Sequence, residues 1–192
     1  MKTESTAKYI LRLTVTLLAI CAVVALALAG VNAITKDQIA ANKAAKTQAA
    51  LAKVLPAPEM ADALQEISFT DETGMVTKMY RSDPNMSITY FAVEVVPSGF
   101  GGDITMMVGI MGGQVTGISI ISHAETPGLG AVAAADTDKG IAFRDQFKDL
   151  MNGITIGNGE NQIDALAGAT ISSQAIIDGV NAALNCVPEI FG

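Results

Sequence analysis

The chain has no tryptophan, a single histidine and only two cysteines. Each shortage closes off a class of chemistry. With His123 alone, a Ser-His-Asp relay or a multi-histidine metal site would rest entirely on one imidazole, and a surface or hydrogen-bonded histidine is the simpler reading. Cys21 falls inside an apolar run and Cys186 lies near the end of the chain, so there is no disulfide framework, no CxxC pair and no thiolate metal site. Positive charge is scarce in the body. Met1 to Leu55 carries seven Lys or Arg against two acids, whereas Pro56 to Gly192 carries five against seventeen, which leaves that stretch at about −12 within a whole-chain charge of −7. With no basic cluster and no tryptophan to stack, it is poorly suited to hold a phosphodiester backbone, and nucleic acid is not an expected partner. Also missing are a GxxxxGK[ST] phosphate loop and a GxSxG turn, so Ser172 or Ser173 as a hydrolase nucleophile has no supporting context.

Charge is absent altogether from Leu13 to Val31, "LTVTLLAICAVVALALAGV". As a helix these residues rise about 28 Å, close to the thickness of a hydrocarbon core, and read as one transmembrane helix. A cleaved signal peptide is the rival, with Lys2, Lys8 and Arg12 ahead of the run and Ala27-Leu28-Ala29 as a small-residue site, but the run exceeds the roughly 7 to 15 residues of a typical signal core. A lipoprotein reading through Cys21 is weaker, because bulky Ile20 precedes it and the apolar run continues past it. Lys2, Lys8 and Arg12 before the helix are matched by Lys36, Lys43, Lys46 and Lys53 after it, so the positive-inside rule does not orient the chain.

Ile34 to Leu55 is rich in Ala, Lys and Gln and stops at Pro56 and Pro58, which predicts a stem helix. Its four lysines share about a third of the circumference, either as a solvated face or against anionic headgroups or an acidic partner. Beyond it the period changes. "GMVTKMYRS" from Gly74, "SITYFAVEVVPSG" from Ser87, "DITMMVGIM" from Asp103 and "QVTGISIIS" from Gln114 read as consecutive strands, with Gly112-Gly113 as a hairpin turn. A helix is predicted over Asp138 to Leu150 with Ile141, Phe143, Phe147 and Leu150 buried, then a short strand at Ile154 to Ile156, then a last helix from Ser173 to Asn185 burying Ile176, Ile177, Val180 and Leu184. Strands followed by helices indicate an α+β domain with a mainly antiparallel sheet. The expected division is an anchor over 1–33, a stem helix and linker over 34–58 and one globular domain over 59–192.

Three stretches could carry chemistry. "SHAETPGLGA", Ser122 to Ala131, has a proline and two glycines that let backbone approach a ligand, with Glu125 and Thr126 beside it; a plain turn is the alternative. "PSGFGGDI", Pro97 to Ile104, is glycine-rich but lacks the strand-to-helix context of a nucleotide loop. "DALAGATISSQAI", Asp164 to Ile176, sets Thr170, Ser172 and Ser173 just before or within the first turn of a helix, where unpaired N–H groups and the macrodipole favour a phosphate. An ordinary Ser or Thr N-cap, worth about 1 kcal/mol, explains the same residues.

Asp164-Ala165-Leu166-Ala167-Gly168-Ala169-Thr170 resembles the D-x-x-[ST]-G-A-[TS] flavinylation motif of covalent FMN-binding domains, with Ala167 where that family usually has a hydroxyl residue. Gly99-Phe100-Gly101-Gly102-Asp103-Ile104 is similar to the family's G-[YF]-G-G-x-I stretch, and Glu125-Thr126-Pro127-Gly128-Leu129-Gly130 matches its E-T-P-G-L-G loop. With the anchor and stem, the whole chain resembles the G-subunit family of Rnf electron-transport complexes; the C subunits of sodium-pumping NADH:quinone reductases are the second likeness. The resemblance implies FMN joined by a phosphoester to Thr170 through a flavin transferase, with Gly168, Ala169, Ser172 and Ser173 around the phosphate. Glu125, Thr126, Gly128 and Leu129 are expected against the flavin. It further implies an electron-carrier subunit without independent catalytic activity, associated with other membrane and peripheral subunits and the lipid bilayer. The flavin domain would lie on the extracytoplasmic side of the cytoplasmic membrane. The complex so implied couples electron flow between ferredoxin and NAD to ion transport. A tethered assembly module without a redox role is the reading from a different class.

Overall fold

The computed structural model describes residues 6–83 and 88–187. Ser87, at which one strand is expected to begin, lies outside them. The chain divides into two units, Met1–Ala45 and Lys46–Gly192.

Helix α1 spans Thr6–Val54, so the expected anchor and stem are both helical. Gly30 is the one strong local breaker in that stretch, and a lone glycine costs only about 1 kcal/mol; the first proline is Pro56. Within the apolar part, Leu17, Leu18, Val23 and Leu26 are exposed. Thr14 and Thr16 donate their hydroxyls to the carbonyls of Ile10 and Arg12, so neither needs an outside partner in an apolar medium. Among the described residues this is the one helix long and apolar enough to cross a membrane.

The second unit is built on five antiparallel strands in sequence order: β1 Gln65–Ile67, β2 Val76–Arg81, β3 Tyr90–Val95, β4 Thr105–Met111 and β5 Gln114–Ser122. β1 was not expected, being three residues long with two exposed. β4 and β5 meet at Gly112 and Gly113, whose φ values of 58° and 78° are those a two-residue type I′ hairpin requires.

Both faces of the sheet are covered, which is why β3 and β4 are buried almost throughout instead of alternating. On one face Phe91, Val93, Val95, Met106, Val108 and Ile110 pack with Ile176, Ile177 and Val180 of helix α3, Thr170–Cys186. On the other, Ala92 and Met107 pack with Ala50, Leu51, Val54 and Leu55 from the end of α1 and just beyond it. Gly109 makes that second contact possible: a Cβ there would collide with the Val54 carbonyl, which accepts a hydrogen bond from Thr116 Oγ1 at 2.5 Å.

Helix α2 spans Asp138–Asp145, capped by Thr137, whose Oγ1 accepts from Gly140 N at 3.3 Å. It stops short of the expected Leu150. Asp149 takes φ 64° and donates its N–H to Val115 O, while Val115 N donates to Leu150 O, so the edge of β5 claims the backbone that a longer helix would have used. Phe143 and Phe147 are buried edge-to-face and Leu150 is half-buried, but Ile141 is 43% exposed, contrary to expectation, because it lies about 200° around the helix from Phe143. A parallel pair follows, β6 Thr155–Ile156 and β7 Gln162–Ile163. Helix α3 then begins three residues earlier than the expected Ser173.

Candidate functional site

That earlier start decides what the three hydroxyls do. The N-cap of α3 is Ala169, with no side-chain capping bond, so the reading of a Ser or Thr N-cap is corrected. Thr170 is the first helical residue and is exposed, whereas Ser172 and Ser173 are buried within the first turn. Ser173 Oγ donates to Ala169 O and accepts from Leu166 N, both at 3.0 Å, and so ties down the segment entering the helix. Ser172 Oγ donates to Glu125 Oε2 at 2.6 Å. Gly168 precedes the helix at φ 72°, a conformation that favours glycine.

Above this turn lies a cavity of about 350 Å³ lined by Phe100, Glu125, Thr126, Leu129, Gly130, Gly168, Ala169, Thr170, Ile171 and Ser172. Its size is within the range of about 300–1,000 Å³ usual for small-molecule sites. The three stretches singled out in the sequence, far apart along the chain, thus converge at the N-terminus of a seventeen-residue helix. Seven of the nine expected site residues line the cavity. Gly128 and Ser173 do not. Gly128, at φ 77°, instead shapes the turn in which Leu129 N and Ala131 N both donate to Thr126 O.

Phe100 and Gly130, which belong to the flanking motifs, and Ile171 also line the cavity, although none is among the nine expected site residues. Phe100 and Ile171 are 68% and 58% exposed, and with Leu129 at 43% they give the mouth three large apolar side chains. The available signal was an aromatic amid glycines and an isoleucine off the buried stripe of its helix. Gly130 sits where a Cβ would collide with Glu125 Oε2, and a Cβ at Gly99 would collide with Glu125 Oε1. Glu125 itself is buried at 6% exposure, and its Oε1 accepts from Gly101 N at 3.1 Å. Its own N–H donates to His123 Nδ1 at 3.2 Å, so the lone histidine serves the backbone of this loop.

Arg144 on α2 holds the far end of the same loop. Its Nη1 donates to Ala133 O at 2.7 Å and Ala135 O at 2.9 Å, and its Nη2 pairs with Asp136 at 3.1 Å. Lys53 completes a small network with Asp136 at 3.6 Å. Asp164 is not in the cavity wall: its backbone pairs with the Gln146 side chain. Among the described residues no three His, Cys, Asp or Glu side chains gather as a metal site.

The arrangement suits a ligand with an anionic group and a flat apolar body. The first turn of α3, with the positive end of its dipole, suits the former, and Phe100, Leu129 and Ile171 the latter. Residues 99–185 match the family model described as the FMN-binding domain, and residues 1–54 match that of the RnfG N-terminal region. The G subunit of an ion-translocating oxidoreductase complex from Methanosarcina acetivorans is 30% identical over 187 residues, 95% of this chain and 97% of that protein. The G subunit of the Na(+)-translocating ferredoxin:NAD(+) oxidoreductase complex of Acetobacterium woodii is 32% identical, covering 91% and 89%. A crystal structure of the C subunit of a Na(+)-translocating NADH-quinone reductase from Parabacteroides distasonis shares the fold, with a TM-score of 0.53 at 14% identity over 75% of this chain and 89% of that one. The chain belongs to the family of G subunits of ion-translocating oxidoreductase complexes.

Proposed function

We propose that this protein is the electron-carrier subunit of a membrane-bound ion-translocating ferredoxin:NAD oxidoreductase complex, and that it works through FMN esterified to Thr170. One observation carries the reading: the motif-bearing loops and the exposed Thr170 share a single cavity at the N-terminus of α3. The residues present fit the group. The first-turn N–H groups of α3 and the small Gly168-Ala169 pair would hold the phosphate, and Phe100, Leu129 and Ile171 would take the ring system. Bound there, FMN supplies reversible one- and two-electron transfer, and the protein's part is to fix the ring and exclude water from its face. The carboxyl of Glu125 is the one acidic group in the cavity wall, and both its oxygens are taken up by hydrogen bonds within the protein.

A phosphate monoester does not condense with a hydroxyl in water unaided, so the donor has to be an activated pyrophosphate, a flavin dinucleotide, brought by a flavin transferase. The ester would join Thr170 Oγ1 to the FMN phosphorus, with one pyrophosphate P–O bond broken and the hydroxyl proton leaving with the nucleoside monophosphate. The exposure of Thr170 suits such a reaction between two proteins.

α1 makes the protein membrane-associated, its apolar stretch crossing the bilayer once, with 1–33 as anchor, 34–58 as stem and linker, and 59–192 as the FMN-binding domain on the extracytoplasmic side. No acidic or basic side chain lies between Leu13 and Val31, so an ion path would run through partner subunits. The test is peptide mass spectrometry after co-expression with a flavin transferase. The FMN mass is expected on the peptide containing Thr170, absent from Thr170→Ala and restored in Thr170→Ser. An adduct retained in Thr170→Ala would overturn the assignment.

A further inference from the structure

Three hydroxyl residues lie within four positions, and two of them are already engaged. Ser173 is spent on Ala169 O and Leu166 N, and Ser172 on Glu125. The Glu125 carboxyl reaches across 47 residues to Ser172 and 24 residues to Gly101, so one buried group joins the glycine loop after β3, the loop after β5 and the first turn of α3. Two glycines of the flanking motifs, Gly99 and Gly130, make room for that carboxyl, since a Cβ on either would strike one of its oxygens. Their smallness therefore serves Glu125.

We propose that Glu125 is the positioning residue of the site: its carboxyl locks the Gly99–Gly102 turn onto α3, keeping Phe100 and Thr170 in the wall of one cavity, and withholds Ser172 so that Thr170 alone is presented as acceptor. Glu125 acts through the Gly101 N–H and the Ser172 hydroxyl, with its oxygens committed to those two groups. A glutamine can replace both bonds, its carbonyl accepting from Gly101 N and its amide donating to a Ser172 hydroxyl that rotates to accept. An alanine replaces neither.

The loading part of this proposal rests on the FMN reading; the locking part does not. Amide hydrogen exchange of the full chain without flavin, in detergent, reads the lock directly. Glu125→Ala is expected to speed exchange across 99–102 by ~10-fold or more, the consequence of losing the part-buried hydrogen bond from Gly101 N and the buried one from Ser172, and Glu125→Gln to stay within ~3-fold of the parent. Ser172→Ala should speed it too, and the double variant Glu125→Ala/Ser172→Ala no further than Glu125→Ala alone. Should Glu125→Ala not fold, Ser172→Ala decides on the same readout. In loading with a flavin transferase, Glu125→Gln should retain the Thr170 adduct and Glu125→Ala lose most of it. Unchanged exchange in a folded Glu125→Ala, independent effects in the double variant, or failure of Glu125→Gln to rescue would each overturn the proposal. A parent chain that takes up no flavin would overturn the FMN reading while the exchange result still decides the lock.

Discussion

At the scale of single residues, the molecule separates groups that chemistry can reach from groups the fold has consumed. Cys186 is of the second kind. Burial pushes its thiol up, the charge of Asp71 pushes it further in the same direction, and Sγ donates to Thr70 O at 3.1 Å. Alkylation of Cys186 by iodoacetamide at pH 8, followed by peptide mass spectrometry, should be slower than that of a free peptide thiol, and Asp71→Asn should accelerate it. Asp71 has its own role. Burial raises its carboxyl, but the hydrogen bonds from Val76 N and from the Thr73 hydroxyl and N–H outweigh that and leave it below the ordinary value. A carboxyl lowered in the folded state adds stability above its unfolded value of about 3.9 and loses it as pH falls through the folded value. Asp71→Asn should therefore melt lower than the parent at pH 7, and the gap should close as the two are compared below about pH 4. Thr170 could be proposed from the sequence because its motif is contiguous, and the structure adds that it lines the cavity. The work of Glu125 could not, because it depends on partners 24 and 47 residues away that share no local pattern with it.

At the scale of elements, helix ends and strand edges were the features that sequence periodicity handled least well. The four long strands were legible from β-branched and aromatic runs, and the β4–β5 turn from its two glycines. The end of α2 was not, since Phe147 and Leu150 keep helical spacing while the backbone of Asp149 and Leu150 is committed to β5. The end of α1 read as a lysine-bearing stem, yet Leu51 and Val54 are buried on the sheet, because an alanine-rich helix shows only a faint apolar stripe. This contact gives a direct test. Gly109→Ala puts a methyl into the space of the Val54 carbonyl and the Thr116 hydroxyl, and should destabilise the protein by about 1–3 kcal/mol in urea unfolding. Thr116→Val, which keeps the shape and removes only the donor, should cost about 1 kcal/mol.

For the whole molecule, the α+β class and the long apolar N-terminal helix followed from composition and period, while the covering of both sheet faces did not. The consequence is a prediction about where the chain can be cut. A truncated chain starting at Lys46 keeps Ala50, Leu51, Val54 and Leu55 and should be soluble and cooperative in thermal unfolding. One starting at Glu59, the expected domain edge, exposes Ala92 and Met107 and should aggregate or melt markedly lower.

The order of the strands also bears on how the protein is made. Each of the five pairs with its neighbour in sequence, so the sheet can form by closing a series of short loops. The cavity instead needs Glu125 beside Ser172, 47 residues away, which closes a far longer loop at greater entropic cost. In refolding, protection of the β3–β4–β5 amides should precede protection of the amides at 99–102. On warming, the ligand cleft should open before the sheet gives way.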